Sequence, residues 1–194
     1  MLRAVLFDMD GTLTQPLIDW PDVRRRLEVA EGASIMDHIE AQDGHRRDRA
    51  ESLLKQIEFE AATAALPNDG VVELIDRLRQ RGLKTGLVTN NHQRAMEHIV
   101  EKLGLRFDLL LSREDGIAKP APDLLILALE RLGLKSSEAL FVGDGRYDRA
   151  AAAAADLSYI HLDHDPAAAP NGPTVHKLAQ VWQLLEPLMS APPE

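Results

Sequence analysis

Asp8 and Asp10 stand two residues apart at the end of a short apolar run, Ala4-Val5-Leu6-Phe7-Asp8-Met9-Asp10-Gly11-Thr12. One carboxylate of such a pair can attack an electrophile while the other moves protons. Holding two carboxylates about 4 Å apart costs about 4 kcal/mol at an effective dielectric of about 20, so the pair calls for a nearby cation or a raised pKa. Later in the chain come a hydroxyl in Thr89-Asn90-Asn91, an amine in Lys119-Pro120-Ala121-Pro122, and more acids in Gly143-Asp144-Gly145-Arg146-Tyr147-Asp148. Each has an ordinary reading when taken alone. The first is a strand running into an Asp-Gly turn, Thr89 a helix cap, Lys119 a solvated surface residue, and Asp148 a first-turn acid favoured by the helix dipole.

The elements that must position these groups decide between the readings. Ala4 to Phe7 reads as a strand buried on both faces, and Gly11 lets the backbone turn so that the two acids separate. Lys84 to Val88, Leu109 to Leu111, Ala139 to Val142 and Leu157 to Leu162 read as four further strands. Between them lie helical patterns: Val71-Leu74-Ile75-Leu78 stopped by Gly82, Ala95-Ile99-Val100-Leu103 stopped by Gly104, Asp123 to Leu132 stopped by Gly133, and the alanine run Ala150 to Ala155. Val175 to Met189 reads as a last amphipathic helix, with a frayed tail from Ser190 to Glu194. Strands alternating with helices predict an α/β, doubly wound parallel sheet, whose ligands bind outside the carboxyl ends of the strands. Asp8, Asp10, Thr89, Asp144 and Asp148 all follow strand ends, and Lys119 lies in a loop on the same side, held by its prolines. They should converge.

Between the first strand and Val71 the pattern is helical only. Asp19 and Pro21 open a helix with Val23, Leu27 and Ala30 on its apolar stripe. Ser34 and Asp37 have capping-box spacing before Ile35, Met36 and Ile39, with a break at Asp43-Gly44. Ala50, Leu53, Leu54, Ile57, Ala61 and Ala64 then mark a helix over residues 47–65, closed by Leu66-Pro67-Asn68-Asp69-Gly70. The expected division is an α/β core of residues 1–15 and 67–194 carrying a small all-helical cap, residues 16–66, inserted after the first strand.

At 194 residues the chain can bury one good core with an insertion. A formal charge of -9 argues against a nucleic-acid or anionic-membrane partner, so an anionic ligand must be drawn in by local cations, backbone N–H groups or a metal. The absence of Cys excludes disulfides, thiolate metal sites and thiol catalysis. No run approaches a membrane span and the first residues are too short for a signal-peptide core, so a soluble cytoplasmic protein is expected.

An oxygen-rich, Cys-free acid set suits a hard divalent cation, Mg2+ above others because it binds through one or two carboxylates plus substrate phosphate. With Asp8-Met-Asp-Gly-Thr, then Thr89, then Lys119, then Gly143-Asp144 with Asp148, the chain resembles the haloacid dehalogenase superfamily of aspartate-nucleophile phosphohydrolases over nearly all of residues 2–162. The insertion looks like the small cap of the phosphoglycolate phosphatase-like branch. The resemblance implies a Rossmann-like core and a Mg2+-dependent phosphatase. In it Asp8 attacks phosphorus to form an aspartyl-phosphate, and Asp10 serves as general acid and then base. It further implies that Thr89, Lys119 and the backbone N–H groups near Met9, Asp10 and Asn90 hold the phosphoryl oxygens. Mg2+ would be held by Asp8, Asp144 and the carbonyl of Asp10, with Asp148 nearby or acting through water. Thr12 would be structural. Gly145 departs from the pattern, where Ser or Thr is frequent, and the loop lacks that hydroxyl.

Asp10 and Asp144 favour phosphoester hydrolysis over attack on a carbon–halogen bond, which needs neither metal nor the second acid. Two alternatives stay open: a phosphomutase acting on a sugar phosphate, and a receiver-like phospho-acceptor domain, which carries its acceptor on a middle strand and has no helical insertion after the first. His161-Leu-Asp-His-Asp165 reads as a solvated loop rather than a metal cluster, and His92 as a residue close enough to Thr89 to meet a substrate. Arg24-Arg25-Arg26, Arg46, Arg47 and Arg49 could place positive charge over the cleft, but only one or two of each run can face it. Trp20 is a packing anchor or a pocket wall. A cap over the cleft restricts access, which favours a small phosphorylated metabolite over a phosphoprotein. Monomer and dimer are equally compatible with the sequence.

Overall fold

A computed structural model describes residues 1–167 and 172–190. The expected tail beyond Ser190 lies outside the described residues. Ala4–Phe7 forms β1, every residue buried. It alternates between two cores. Val5 and Phe7 pack with α4 (Val71–Gln80), α5 (Gln93–Lys102) and α8 (Leu178–Ser190), whereas Ala4 and Leu6 pack with α6 (Asp123–Leu132) and α7 (Arg146–Ala154). A strand covered on both sides can have no polar face, which is why this run reads as continuously apolar.

β2 (Lys84–Val88), β3 (Leu109–Leu111), β4 (Ala139–Gly143), β5 (Ser158–Leu162) and β6 (Thr174–Val175) complete a six-stranded sheet in the order β3-β2-β1-β4-β5-β6, parallel throughout. The last strand corrects the sequence reading at its end. Val175 pairs with Leu162 in β6 instead of opening the terminal helix, which starts three residues later at Leu178. Two residues carry too little pattern for a strand to be seen in sequence. Because β2, β1 and β4 are neighbours, the loops that follow them lie side by side at one end of the sheet.

α1 (Trp20–Arg26), α2 (Ile35–Glu40) and α3 (Gly44–Ala64) lie between β1 and α4 and bury a small core of their own around Val23, Leu27, Val29, Ile39, Ala50 and Leu54. Asp19 accepts from the backbone N–H of Asp22 and Ser34 from that of Asp37, as their spacing predicts. Two expectations fail here. Ala30 is exposed and Val29 takes its place, because α1 stops at Arg26 and Glu28 turns with φ 58°. The buried face of α3 is Ala50, Leu54, Glu58 and Ala62, at strict four-residue spacing, while Ala64 is exposed. An acid thus occupies a buried position on the face where the apolar pattern pointed to Ile57 and Ala61. Among the described residues, no helix is long and apolar enough to cross a membrane.

Candidate active site

The loop after β1 is wound about one carbonyl. Met9 O accepts the backbone N–H groups of Thr12, Leu13 and Thr14, which turns the chain sharply and directs Asp8 and Asp10 differently. The turn needs Gly11, whose φ is +80° and whose missing Cβ would stand 2.0 Å from Asp144 Oδ2. Asp8 itself is tied to β4 through its N–H and Val142 O, 2.9 Å.

Lys119 reaches this point from the loop before α6. Its ammonium donates to Asp8 Oδ1 at 2.5 Å, Asp148 Oδ1 at 2.6 Å and Val88 O at 3.0 Å, so each of its three hydrogens has an acceptor. Only 4 % of Lys119 is exposed. Burial alone would lower the Lys119 pKa, but Asp148 and Asp8 outweigh it and hold the ammonium charged. Asp8 is pushed well above the usual carboxylate range, first by burial and then by Asp148, with Lys119 pulling the other way. Asp10 lies to the side. Its Oδ2 accepts from Asn91 Nδ2 at 3.0 Å, and burial raises its pKa to about 6 against that hydrogen bond.

Asp148 is in the first turn of α7, with Oδ2 accepting the N–H of Gly145 at 2.9 Å. Gly143 makes room for it, since a Cβ there would stand 2.7 Å from the Asp148 carboxylate. Asp8, Asp144 and Asp148 each offer a carboxylate oxygen, and these oxygens lie within 4.8 Å of one another. Two of these carboxylates share the Lys119 ammonium, and the elevated Asp8 reflects burial first and the neighbouring acids second. An all-oxygen donor set of this kind fits a hard divalent cation such as Mg2+.

Thr89 is buried at the end of β2, where its Oγ1 accepts the N–H of Asn91 at 3.0 Å. The Asn90 side chain braces Lys119 from both ends of one residue: Nδ2 donates to Lys119 O at 2.7 Å and Oδ1 accepts Lys119 N–H at 2.8 Å. Thus Asp8, Lys119, Asp144 and Asp148 come together with Asn90 braced against Lys119, Thr89 lies at the end of the adjoining strand, and the Asp10 side chain turns toward Asn91.

Three residues at or beside this site were not recognised in the sequence. Asn68, within a turn-forming stretch, donates to the carbonyls of Gly11, Thr12 and Thr14 at 2.8–3.0 Å. His164 does not simply face solvent; its Nε2 lies 2.7 Å from Gly11 O and 3.7 Å from Asp144 Oδ2. Asp144 above all raises the His164 pKa, with burial acting against it. Glu58 of α3 forms a bidentate ion pair with Arg113, at 2.6 and 2.9 Å, with both side chains almost wholly buried. Burial pushes Glu58 up to about 7, with Arg113 opposing and Asp10 adding to the rise. Four-residue spacing on α3 was the one signal that could have revealed Glu58. The carbonyls that Asn68 and His164 meet are 54 or more residues away, and Asp144 is 20 residues from His164, so no local signal exists.

His92 is held by backbone partners. It caps α5 by accepting Ala95 N–H on Nδ1, and its Nε2 lies 3.2 Å from Lys55 O. Arg24 donates to Ala30 O, Arg25 and Arg26 pair with Asp22, and Arg47 with Glu51, so these arginines are taken up locally. Trp20 is 42 % exposed at the start of α1.

Residues 2–156 match the family described as haloacid dehalogenase-like hydrolase. The chain is 31 % identical to N-acetylmuramic acid 6-phosphate phosphatase of Pseudomonas aeruginosa, over 86 % of this chain and 87 % of that protein. It is 29 % identical to phosphoglycolate phosphatase of Xanthomonas campestris pv. campestris, over 93 % and 95 %. Among solved structures, a hydrolase from Pseudomonas syringae superposes with a TM-score of 0.79 at 18 % identity, covering 96 % of this chain and 99 % of that one. CbbY from Rhodobacter sphaeroides in complex with phosphate superposes with a TM-score of 0.71 at 19 % identity, over 93 % and 96 %. With the motif residues gathered at the carboxyl ends of adjacent parallel strands, and the match spanning all of them, the chain belongs to the haloacid dehalogenase-like hydrolases.

Proposed function

We propose that this hydrolase is a Mg2+-dependent phosphatase that cleaves a small organic phosphate monoester through an aspartyl-phosphate, with residues 16–66 as a cap over the site. The observation that carries the reading is the Lys119 ammonium between Asp8 Oδ1 and Asp148 Oδ1, inside a cluster of three carboxylates. An ammonium so placed neutralises the nucleophile and can meet a phosphoryl oxygen as charge shifts.

In the first step Asp8 Oδ forms a bond to phosphorus while the ester P–O bond breaks, and the departing oxygen takes the proton of Asp10. A pKa of about 6 lets Asp10 carry that proton near neutral pH. In the second step water attacks phosphorus, Asp10 takes the water proton, and the bond to Asp8 breaks to release inorganic phosphate. Thr89 Oγ1, Lys119 and the N–H groups of the loops after β1 and β2 hold the phosphoryl oxygens in line. When bound, Mg2+ would be held by Asp8, Asp144 and the carbonyl of Asp10 with Asp148 beside it, and would offset the repulsion between the phosphate and these acids.

The relatives named above are called after two different phosphate esters, so their shared property, a small phosphorylated molecule, is the part that transfers. Three helices between β1 and α4 speak against a receiver domain. The test is phosphate release across a panel of phosphorylated metabolites, with and without Mg2+, in the wild type and Asp8→Asn. Release that requires both Mg2+ and Asp8 is expected; release surviving either loss rejects the mechanism. Phosphorus NMR of the products separates hydrolysis from transfer within a sugar phosphate.

A further inference from the structure

Arg113 connects two parts of the molecule that the catalytic groups do not join directly. On one side its guanidinium holds both oxygens of Glu58, which comes from α3 and therefore from the helical insertion. On the other, Nη1 donates to Asn90 O at 3.0 Å. Asn90 clamps the backbone of Lys119 through both ends of its side-chain amide, and the next residue, Asn91, holds Asp10 Oδ2 and Thr89 Oγ1. A continuous set of hydrogen bonds thus runs from a buried carboxylate on the insertion to the lysine and the acid of the site.

The placement is costly unless it does something. A buried Arg–carboxylate pair contributes little net stability compared with apolar side chains of similar size, because both ions lose their hydration. The rest of α3 has other ways to dock on the core: Phe59 packs beside His98 and under Arg94, and Lys102 donates to Thr63 O. What the ion pair adds is a fixed orientation of the guanidinium, since a bidentate fork leaves it no freedom to rotate. Its remaining direction is the Asn90 carbonyl.

We propose that Arg113 is a positioning residue for the loop that holds the phosphoryl group, and that Glu58 is the group on the insertion that fixes Arg113 in place. Seating of α3 thereby aligns Asn90 and, through it, Lys119. The catalytic consequence rests on the phosphatase reading above; the structural coupling does not.

Glu58→Gln, which keeps the shape and one acceptor but loses the charge and one arm of the fork, and Arg113→Lys, which keeps charge but not the fork, test it. Each is expected to lower kcat for p-nitrophenyl phosphate about 10- to 100-fold with little change in KM, as for misplacement of reacting groups by a fraction of an ångström to an ångström. Glu58→Gln added to Arg113→Met should cost no more than Arg113→Met alone. Hydrogen exchange without substrate should show faster exchange in residues 89–92 and 118–121 of each single variant. Should a single variant not fold, the Glu58→Leu/Arg113→Leu pair, apolar on both sides, replaces it and should show the same kcat loss and the same faster exchange. Unchanged exchange in those segments, or additive losses in the double variant, overturns the proposal. If the wild type releases no phosphate from any ester, the phosphatase reading fails, and the exchange result alone decides whether Glu58 and Arg113 order the loop.

Discussion

Gly11 and Asp144 approach so closely that a Cβ on the glycine would stand 2.0 Å from the aspartate Oδ2. No rotation of the added methyl avoids this, so the Asp144 carboxylate would have to swing out of the acid cluster. Gly11→Ala also forces φ +80° on a residue with a Cβ, at a cost of about 1–2 kcal/mol. The expected outcome is a folded protein with lower Tm that lacks the rise in Tm on adding Mg2+ expected of the wild type, since ligand binding stabilises only through an intact site. Thermal melts over a Mg2+ titration check it.

Lys119→Met keeps the stem of the side chain and removes the charge. Asp8 and Asp148 would be left buried without their cation. Breaking a buried ion pair from one side costs about 3–5 kcal/mol, and removing a donor aimed at developing charge costs about a hundred- to a thousand-fold in kcat. Urea unfolding and steady-state kinetics measure the two losses separately. A full-rate variant would remove Lys119 from the mechanism.

Asn68→Ala should act through the loop rather than through chemistry. The amide has two hydrogens directed among three carbonyls, and their loss leaves at least two acceptors of the Asp8–Thr14 turn unsatisfied. A stability loss of about 1–3 kcal/mol is expected. Asn68→Asp, which cannot donate, should be no better than alanine in the same denaturant titration.

His92 predicts part of the acid sensitivity. Burial, with the Arg113 charge next, lowers its pKa, and Lys55 O and Ala95 N–H specify a neutral ring that carries its proton on Nε2. In the unfolded chain His takes up a proton below about 6.5 while the folded one resists it. The unfolded state then binds more protons, so this contribution to stability is present above that value and is lost as pH falls through it. His92→Asn, which can still cap α5, should therefore show a smaller fall in Tm between about pH 7 and pH 5 than the wild type. An identical fall in the two proteins would assign the effect to other groups.

Much of the core was legible because its signals are local. The apolar run of β1, the caps Asp19 and Ser34, and Gly133 after α6 each act through neighbours in sequence, and each is found where its pattern pointed. Glu58 was misjudged because an acid on an otherwise apolar face looks like a gap in the pattern until its partner, 55 residues away, is known. β6 was missed because two residues have no period, and Val175 then looked like the first turn of α8.

From the order of residue types alone came the parallel α/β sheet, the acids at its strand ends and the need for a cation beside them. These follow from periodicity, from turn chemistry and from the repulsion of like charges, none of which requires knowing who touches whom. Which oxygen each hydrogen of Lys119 meets, that Asn68 and His164 grip the Gly11 carbonyl, and that Arg113 lies between Glu58 and Asn90 were decided only when the chain closed on itself. Hydrogen bonds and ion pairs of this kind act over about 3 Å, between groups that the sequence leaves far apart.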